Sequence, residues 1–350
     1  MKHYIIPIFI PHYGCTHQCI FCNQKKITGI ETPVAASQVL SVIQEHLSRI
    51  TRPRRVEVAF YGGSFTALPL DMQQELLSPV YNLLCNKKID AIRLSTRPDA
   101  INAETVQMLM NNGVSTVELG VQSMDNRVLQ AAARGHSATD VVQAVELLKA
   151  AEMKCGLQLM PGLPLEDWLS LTNTAGKVIM LKPDFVRIYP AIVIADTPMA
   201  KLYQQGLYRP LSLSEAVKRA AFLKLLCKQQ GIDVIRTGLQ PTEELNNEGV
   251  VLAGPFHPAF GEMVDAYLFH TMVLRFFEYI FLPSAELIIH HHPRDHSKLR
   301  GVKNRNIKEW QQAYNILNIK LIPDGEKLGE LIIEHKNIKY YINQSMLFFV

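Results

Sequence analysis

Short apolar runs alternate with longer amphipathic stretches over the first two thirds of the chain. The short runs are rich in β-branched and aromatic residues and predict six strands, at residues 4–10, 55–61, 91–96, 115–122, 156–160 and 185–191. The longer stretches carry apolar residues at helical spacing and predict six helices, at residues 36–49, 71–85, 103–111, 138–150, 166–180 and 213–229. The strands are apolar on both faces, as parallel strands covered by helices are. The alternation predicts an α/β fold, a partial (β/α)6 TIM-like barrel with six strands instead of eight.

The pattern changes after about residue 240. The segment 254–261 is dense in glycine and proline, which excludes a regular element. It is either a lid over the barrel, with His257 as an acid or base, or a plain connecting loop. An apolar helix, a basic loop and three strands follow, at residues 263–281, 290–305, 319–322, 328–335 and 337–342. We therefore predict a barrel domain at 1–240 and a small α+β appendage at 241–350.

The composition is that of a globular protein. Of the 350 residues, 48% are hydrophobic, which is enough for one large α/β domain and an appendage. No apolar run reaches the roughly 18 residues of a membrane span, and residues 1–9 lack the features of a signal peptide. We expect a cytoplasmic protein with no membrane partner. The net charge of +4 by itself says little about a polyanionic partner.

Three of the six cysteines lie close together, as Cys15, Cys19 and Cys22 in a C-x-x-x-C-x-x-C pattern. They directly follow the first predicted strand, and the active sites of barrels lie at the carboxyl ends of the strands. Three thiolates bind three irons of a 4Fe-4S cubane and leave the fourth iron without a protein ligand, free to bind a substrate. The remaining cysteines lie within apolar patterns and are expected to be core thiols: Cys85, Cys155 and Cys227.

The cysteine cluster is also compatible with a zinc site or with a chance grouping of buried thiols. A zinc site would take His12 or His17 as the fourth ligand. Zinc sites favour two separated pairs of ligands, and no second pair is evident. The spacing of the cysteines and the strand before them favour the iron–sulfur cluster over both alternatives.

Polar residues and glycines also gather where later strands end. Ser95 and Arg97 end the third strand in a polar group, where a site role competes with a simple solvated charge. Glu118 and Gln122 share one face of the fourth strand because side chains alternate with a period of two. Two polar groups on the inner face of an apolar strand are costly if unpaired, so we expect either a polar ligand or a buried polar network to satisfy them.

The sixth strand carries Arg187 and Tyr189 on one face. They either meet the substrate or form a structural ion pair.

The cysteine motif resembles that of the radical S-adenosylmethionine (radical SAM) superfamily. Within it the chain resembles the branch that contains the Elongator catalytic subunit and oxygen-independent coproporphyrinogen III oxidase, over residues 1 to about 240. The resemblance implies a 4Fe-4S cluster and S-adenosylmethionine as cofactors, and an electron donor such as flavodoxin or ferredoxin. It also implies reductive cleavage of S-adenosylmethionine to a 5′-deoxyadenosyl radical. The chain ends too soon for the acetyltransferase domain of the Elongator subunit, so acetyl-coenzyme A chemistry is not expected.

The resemblance, with the polar strand ends, assigns cofactor binding to Phe21, Gly62, Gly63, Ser64, Ser95, Glu118, Gln122, Arg134 and Gln158. By resemblance Phe21 lies against the adenine, and the Gly62–Ser64 segment receives the methionine ammonium. Gln122 and Arg134 then hold the cofactor's carboxylate. In coproporphyrinogen oxidases an acidic residue at the position of Gln158 contacts the ribose, so glutamine is a departure there.

Three hypotheses for the substrate remain open. The first is modification of RNA, with tRNA favoured, which rests on the resemblance and on residues 290–308, with six Lys or Arg, four His and one Asp. A solvated loop is the alternative for that segment. The second is a small-molecule enzyme of the coproporphyrinogen oxidase type. Those enzymes carry an extra cysteine where this chain has Gln24, which argues against it. The third is a non-catalytic iron–sulfur protein.

Overall fold

A computed structural model of the chain describes residues 3–10, 15, 17–28, 35–51, 55–280, 286–344 and 347. The chain divides into two compact units. The first comprises Met1–Ser212 and Ile232–Phe256, and the second comprises Leu213–Gly231 and His257–Val350. This division differs from the predicted boundary at residue 240, because the helix Leu213–Gln229 packs with the helix Phe260–Tyr279.

The first unit is built on one parallel sheet, with strands numbered in chain order through the whole protein. Its strands are β1 (His3–Phe9), β2 (Arg55–Tyr61), β3 (Ala91–Thr96), β4 (Val114–Gln122), β5 (Lys154–Leu159), β6 (Phe185–Ile188) and β8 (Asp233–Thr237). They pair in the order β1-β2-β3-β4-β5-β6-β8, and every pair is parallel. The sheet curls into half a barrel, which confirms the predicted partial barrel. The sequence pattern missed β8, a short strand with charged residues at Asp233 and Arg236 and no apolar run.

Helices and a small ribbon complete the first unit. The helices are α1 (Gln24–Thr28), α2 (Ala36–Ser48), α3 (Leu70–Cys85), α4 (Ala103–Asn111), α5 (Asn126–Ala131), α6 (Ala138–Ala150), α7 (Trp168–Leu181), α8 (Pro198–Gln204) and α10 (Glu243–Asn246). The short strands β7 (Val193–Ile194) and β9 (Val251–Ala253) pair antiparallel. All five residues from 56 to 60 in β2 are buried, as expected for a parallel strand covered on both faces.

Side-chain caps fix where the helices begin. A capping box joins Ser137 and Asp140 at the start of α6, with the Asp140 carboxylate 2.6 Å from the Ser137 backbone nitrogen. A similar box joins Asp167 and Ser170 at the start of α7. The Ser137 cap ends the loop between α5 and α6, and the Asp167 cap ends the loop from β5 to α7. Strand-to-helix loops carry the functional residues of barrel folds.

The second unit combines helices with a mixed sheet. Its helices are α9 (Leu213–Gln229), α11 (Phe260–Tyr279), α12 (His296–Arg300) and α13 (Arg305–Tyr314), and its strands are β10 (Glu286–His291), β11 (Asn318–Ile322), β12 (Glu330–His335) and β13 (Ile338–Asn343). The sheet order is β11-β10-β12-β13, with β10 and β11 parallel and the other pairs antiparallel. This is the predicted α+β appendage. The predicted helix end at 281 lies outside the described residues.

The predicted basic loop at 290–305, extended to 308 as a possible RNA contact, is wrong as a description of structure. Residues 286–291 form β10, and most of the remainder forms short 3₁₀ helices, α12 and the start of α13. The strand was not predicted because one of its inward positions is polar. His291 is fully buried on the same face as Leu287 and Ile289. Of the segment 254–261 that was predicted to be irregular, residues 254–259 connect β9 to α11. The prediction is wrong for Phe260 and Gly261, which belong to α11. No helix among the described residues is long and apolar enough to cross a membrane.

Candidate active site

A cavity of about 720 Å³ opens at the carboxyl ends of the parallel strands, and its lining residues all belong to the first unit. Every residue assigned from the sequence to the cluster or the cofactor lines it: Cys15, Cys19, Cys22, Phe21, Gly62, Gly63, Ser64, Ser95, Glu118, Gln122, Arg134 and Gln158. Their individual roles stay predictions. Arg97, Arg187 and Tyr189 line the same cavity. Residues that are dispersed along the sequence therefore share one space.

The cysteine loop is held in place by backbone hydrogen bonds to neighbouring segments. The Ile20 nitrogen donates to the Ala132 carbonyl at 3.2 Å, and the Met199 nitrogen donates to the Ile20 carbonyl at 2.8 Å. The Ile20 side chain packs in an apolar cluster that includes Val128 and Met199. A tight turn brings the Cys22 nitrogen to 3.1 Å from the Cys19 carbonyl. Apolar packing therefore anchors the loop between two of its cysteines.

The three thiols line one cavity, as the ligands of a single cluster must. Burial raises the pKa of Cys22 to about 12, and the nearby Cys19 and Cys15 contribute to the same rise. Such thiols need a strong positive charge to become thiolates, and iron ions supply it. Among the residues that the structure describes, no three His, Cys, Asp or Glu side chains form a group that could hold a metal ion. A cubane does not require its thiolates to meet at one ion, since each binds a different iron.

The zinc alternative finds no support in this arrangement. His17 is among the described residues, and it forms no such ligand group with the cysteines. Its ring lies over Gly135, where an added Cβ would come within 2.5 Å of the imidazole. His12 lies outside the described residues.

Arg134 connects the cysteine loop to β4. It follows α5, is 8% exposed, and donates from Nη1 to Cys19 Sγ at 3.1 Å and from Nη2 to the Gly120 carbonyl at 2.6 Å. A Cβ on Gly120 would lie 2.6 Å from Nη2, so glycine at this position makes room for the guanidinium. A buried guanidinium beside a cysteine thiol is well suited to bind a carboxylate.

Glu118 lies at the centre of a buried ionic network. Its carboxylate accepts from the Tyr61 hydroxyl and from Arg93 Nη1, each at 3.0 Å, and lies 2.6 Å from Arg187 Nε. Arg93 also bonds Glu57 at 2.5 Å. Burial, and next the charge of Glu118, raise the pKa of Tyr61, so its hydroxyl stays protonated and donates. The structural ion pair considered for Arg187 is present. For Glu118, the buried polar network is present, which is one of the two alternatives that the sequence left open.

Gln122 and Gln158 face each other across β4 and β5. Gln158 Nε2 donates to Gln122 Oε1 at 3.1 Å, which leaves the Gln122 amide group as a donor toward the cavity. The β4–β5 register shifts between Gly120 and Gln122, and Gln122 has φ of 68°. A non-glycine residue held in this region is strained, and such strain concentrates at functional sites.

The serine-containing segments also meet the cavity. Ser64 Oγ lies 3.6 Å from Cys15 Sγ. Gly62 has φ of 94°, a conformation that favours glycine. Thr66 and Thr96 are linked by a buried hydroxyl–hydroxyl hydrogen bond of 2.6 Å, which ties the loop after β2 to the end of β3, beside Ser95.

Sequence reasoning missed the residues that β8 and the following segment contribute. Arg236, Gln240, Thr242 and Leu245 all line the cavity. Once β8 is known, Arg236 is recognisable as a polar residue next to the carboxyl end of a parallel strand. Without an apolar run to mark the strand, no pattern singled it out.

A curled parallel sheet with a three-cysteine loop after its first strand defines a class, and the family models agree. The model described as "Radical SAM superfamily" matches residues 9–175, and the model described as "Radical_SAM C-terminal domain" matches residues 183–269. The chain belongs to the radical SAM superfamily.

Among its relatives is a tRNA uridine(34) acetyltransferase of Methanocaldococcus jannaschii, 28% identical over 51% of this chain and 37% of that protein. Another is the heme chaperone HemW of Lactococcus lactis, 25% identical over 56% of this chain and 51% of that protein. The chain thus spans between a third and about half of the length of these relatives. The solved structure of Methanocaldococcus infernus Elp3 with an N-terminal deletion superposes with a TM-score of 0.60 at 22% identity, covering 76% of this chain and 62% of that one. This likeness shows the fold.

Proposed function

We propose that this enzyme binds a 4Fe-4S cluster through Cys15, Cys19 and Cys22, and S-adenosylmethionine at the iron that these residues leave open. The observation that carries the proposal is the meeting of the three thiols with Arg134 in one cavity, where Arg134 Nη1 donates to Cys19 Sγ at 3.1 Å. When bound, the two cofactors supply a one-electron reductive cleavage that yields a 5′-deoxyadenosyl radical. An electron donor such as flavodoxin or ferredoxin is required.

The chain's own residues bind and orient the cofactor. Arg134 offers its guanidinium to the methionine carboxylate, and the free amide group of Gln122 donates beside it. Ser64 and the backbone at Gly62 and Gly63 receive the ammonium. Phe21 packs on an apolar cluster that includes Ile20, and it offers a flat apolar surface to the adenine while excluding water.

The proposed substrate is RNA, and within that class tRNA. One relative is named as a tRNA uridine(34) acetyltransferase, and the charge of this chain is concentrated in one segment. Residues 290–308 hold six Lys or Arg and one Asp, so their charge is +5, whereas the whole chain carries +4 and the remainder is therefore −1. Within it, Arg294, Arg300, Lys303 and Lys308 are exposed. Exposed cations without carboxylate partners are suited to phosphates.

Cofactor turnover tests the chemistry. The cluster is reconstituted anaerobically, dithionite and S-adenosylmethionine are added, and 5′-deoxyadenosine is measured by chromatography with and without bulk tRNA. We expect product from the wild type and from Cys85→Ala, whose thiol is exposed and does not line the cavity. Cys19→Ala should give none. Equal product from Cys19→Ala and wild type would refute the cluster assignment.

RNA binding is tested separately by filter binding of bulk tRNA across a salt series. We expect affinity to fall steeply as salt rises, since each neutralised phosphate contributes about 0.9 to the logarithmic slope. A protein that cleaves S-adenosylmethionine but binds no tRNA at low salt keeps the cofactor proposal and loses the RNA proposal.

A further inference from the structure

Two arginines on neighbouring strands line the same wall of the cavity. Arg187 on β6 lies in register with Arg236 on β8. Like charges on adjacent strand positions repel each other. Glu118 neutralises Arg187 through an ion pair of 2.6 Å. Among the described residues Arg236 has no carboxylate within ion-pair distance, and its Nε donates to the Gly238 carbonyl at 3.3 Å. Within the described part of the chain, this wall therefore carries a positive charge without a countercharge.

A β-bulge directs Arg236 to this wall. Val186 pairs with Val234, whereas the next residue, Arg187, pairs with Arg236, so Ile235 is the extra residue of the bulge. In an unbroken register Ile235 would stand opposite Arg187. The bulge instead leaves Ile235 48% exposed and gives the cavity a guanidinium. Bulges are frequent beside active sites, where they re-aim a side chain.

Each of the other arginines of the cavity has a partner on at least one Nη group, although Arg97 Nη1 is buried without one among the described residues. Arg97 forms a two-point contact with Asp99 at 3.0 Å, Arg134 bonds Gly120 and Cys19, and Arg187 pairs with Glu118. Arg236 differs because both of its Nη groups are without a hydrogen-bond partner among the described residues. A guanidinium with two free N–H groups on one edge matches the two oxygens of a phosphate or carboxylate.

We propose that Arg236 binds an oxyanion of the substrate, and that in the RNA substrate this is a backbone phosphate next to the modified nucleotide. The inference rests on the proposed function, because it takes this cavity as the active site and RNA as the substrate. The cysteine loop follows β1, which lies at the opposite end of the sheet from β8. Arg236 then positions the nucleotide on the side of the cavity that is opposite this loop. The oxyanion supplies a countercharge to Arg236, because Glu118 pairs with Arg187 instead.

The test compares Arg236→Gln and Arg236→Lys with Arg209→Gln, a matched control in the same unit. Arg209 is exposed and does not line the cavity. Filter binding of bulk tRNA is measured over a potassium chloride series. Losing one phosphate contact should lower the magnitude of the logarithmic salt slope by about 0.7–0.9 in Arg236→Gln, with roughly five- to tenfold weaker binding at low salt. Arg236→Lys and Arg209→Gln should keep the wild-type slope.

Thermal unfolding separates binding from folding. Because Arg236→Gln removes a repulsion, its midpoint should be no lower than that of the wild type without ligand. Inorganic phosphate stabilises folded proteins in general. Compared with chloride at equal ionic strength, it should therefore raise the midpoint of the wild type more than that of Arg236→Gln. If Arg236→Gln behaves as the wild type in both assays, the inference is wrong. If the wild type binds no tRNA yet responds to phosphate through Arg236, the oxyanion site stands and the RNA substrate is refuted.

Discussion

Replacing Glu118 with leucine removes the carboxylate that Tyr61, Arg93 and Arg187 share. The Glu118 and Arg187 side chains are only 6% and 15% exposed, so water replaces little of what is lost. Arg93 keeps Glu57 at 2.5 Å, whereas Arg187 keeps only tyrosine hydroxyls, at 3.0 Å and 3.3 Å. Removing one partner of a buried ion pair costs about 3–5 kcal/mol. We expect Glu118→Leu to lose this much free energy of unfolding.

The reverse substitution is expected to cost less. In Arg187→Met the Glu118 carboxylate keeps Arg93 and Tyr61, both at 3.0 Å, so the loss is that of charged hydrogen bonds, about 1.5–3 kcal/mol. The double variant Glu118→Leu/Arg187→Met buries no uncompensated charge at this pair. Its cost should therefore be at least ~1 kcal/mol below the sum of the two single variants, within the range that contacting residues show.

Urea unfolding followed by far-ultraviolet circular dichroism measures these differences. With a slope of about 2–3 kcal/mol per molar urea, Glu118→Leu should lower the midpoint by roughly 1–2.5 M. Glu146→Leu is the matched control, because Glu146 is exposed on α6, and its effect should stay within about 0.5 kcal/mol. Additive single and double variants would show that Glu118 and Arg187 are not coupled, and an unchanged Glu118→Leu midpoint would refute the buried network.

Three further predictions concern the site and the charged surface. Gly120→Ala places a Cβ 2.6 Å from Arg134 Nη2 and so displaces the guanidinium. We expect S-adenosylmethionine to bind about tenfold more weakly in equilibrium dialysis, which corresponds to the loss of one charged hydrogen bond. An unchanged affinity would show that Arg134 does not bind the cofactor. Burial, and next the charge of Arg134, lower the pKa of His136 from 6.5 to about 3. As the pH falls, the unfolded chain therefore binds a proton at His136 before the folded protein does. The stability present above pH 6.5 is then lost by about 1.4 kcal/mol per pH unit as the pH falls toward 3. His136→Gln should reduce this dependence of the free energy of unfolding on pH between about pH 6.5 and 5, as measured by urea unfolding, and an identical dependence would contradict the lowered pKa of His136. Charge reversal of Lys303 and Lys308 to glutamate should lower the tRNA salt slope by about 1–2, whereas a charge-reversed pair at exposed Lys87 and Lys88 should leave it unchanged.

The half-barrel could be predicted from the sequence because its strands are apolar on both faces and alternate with helices. β2, β3 and α4 have the predicted bounds. β8 and β10 were not predicted because each interrupts the apolar pattern of a strand. β8 does so through its bulge and its charged residues, and β10 through the buried His291. Both strands are fixed by pairing with distant segments, which local propensity does not encode.

Some residues of the candidate site could also be predicted from the sequence, and others could not. The cysteines and the glycines after β2 were recognisable because motif spacing and strand ends are local features. The network of Glu118 was not, because its partners Arg93 and Arg187 lie 25 and 69 residues away in sequence. Spacing along the chain does not reveal which side chains a curled sheet brings together.

The bulge of β8 has a consequence for the solubility of the fold. A half-barrel is open, and β8 is the last strand at one end of the seven-stranded sheet. A straight terminal strand presents unpaired backbone groups to which another chain can add a strand. The shift at Ile235 twists β8 and interrupts the regular spacing of those groups, and the strand is only five residues long. The distortion that places Arg236 in the cavity thus also makes this edge a poor template for aggregation.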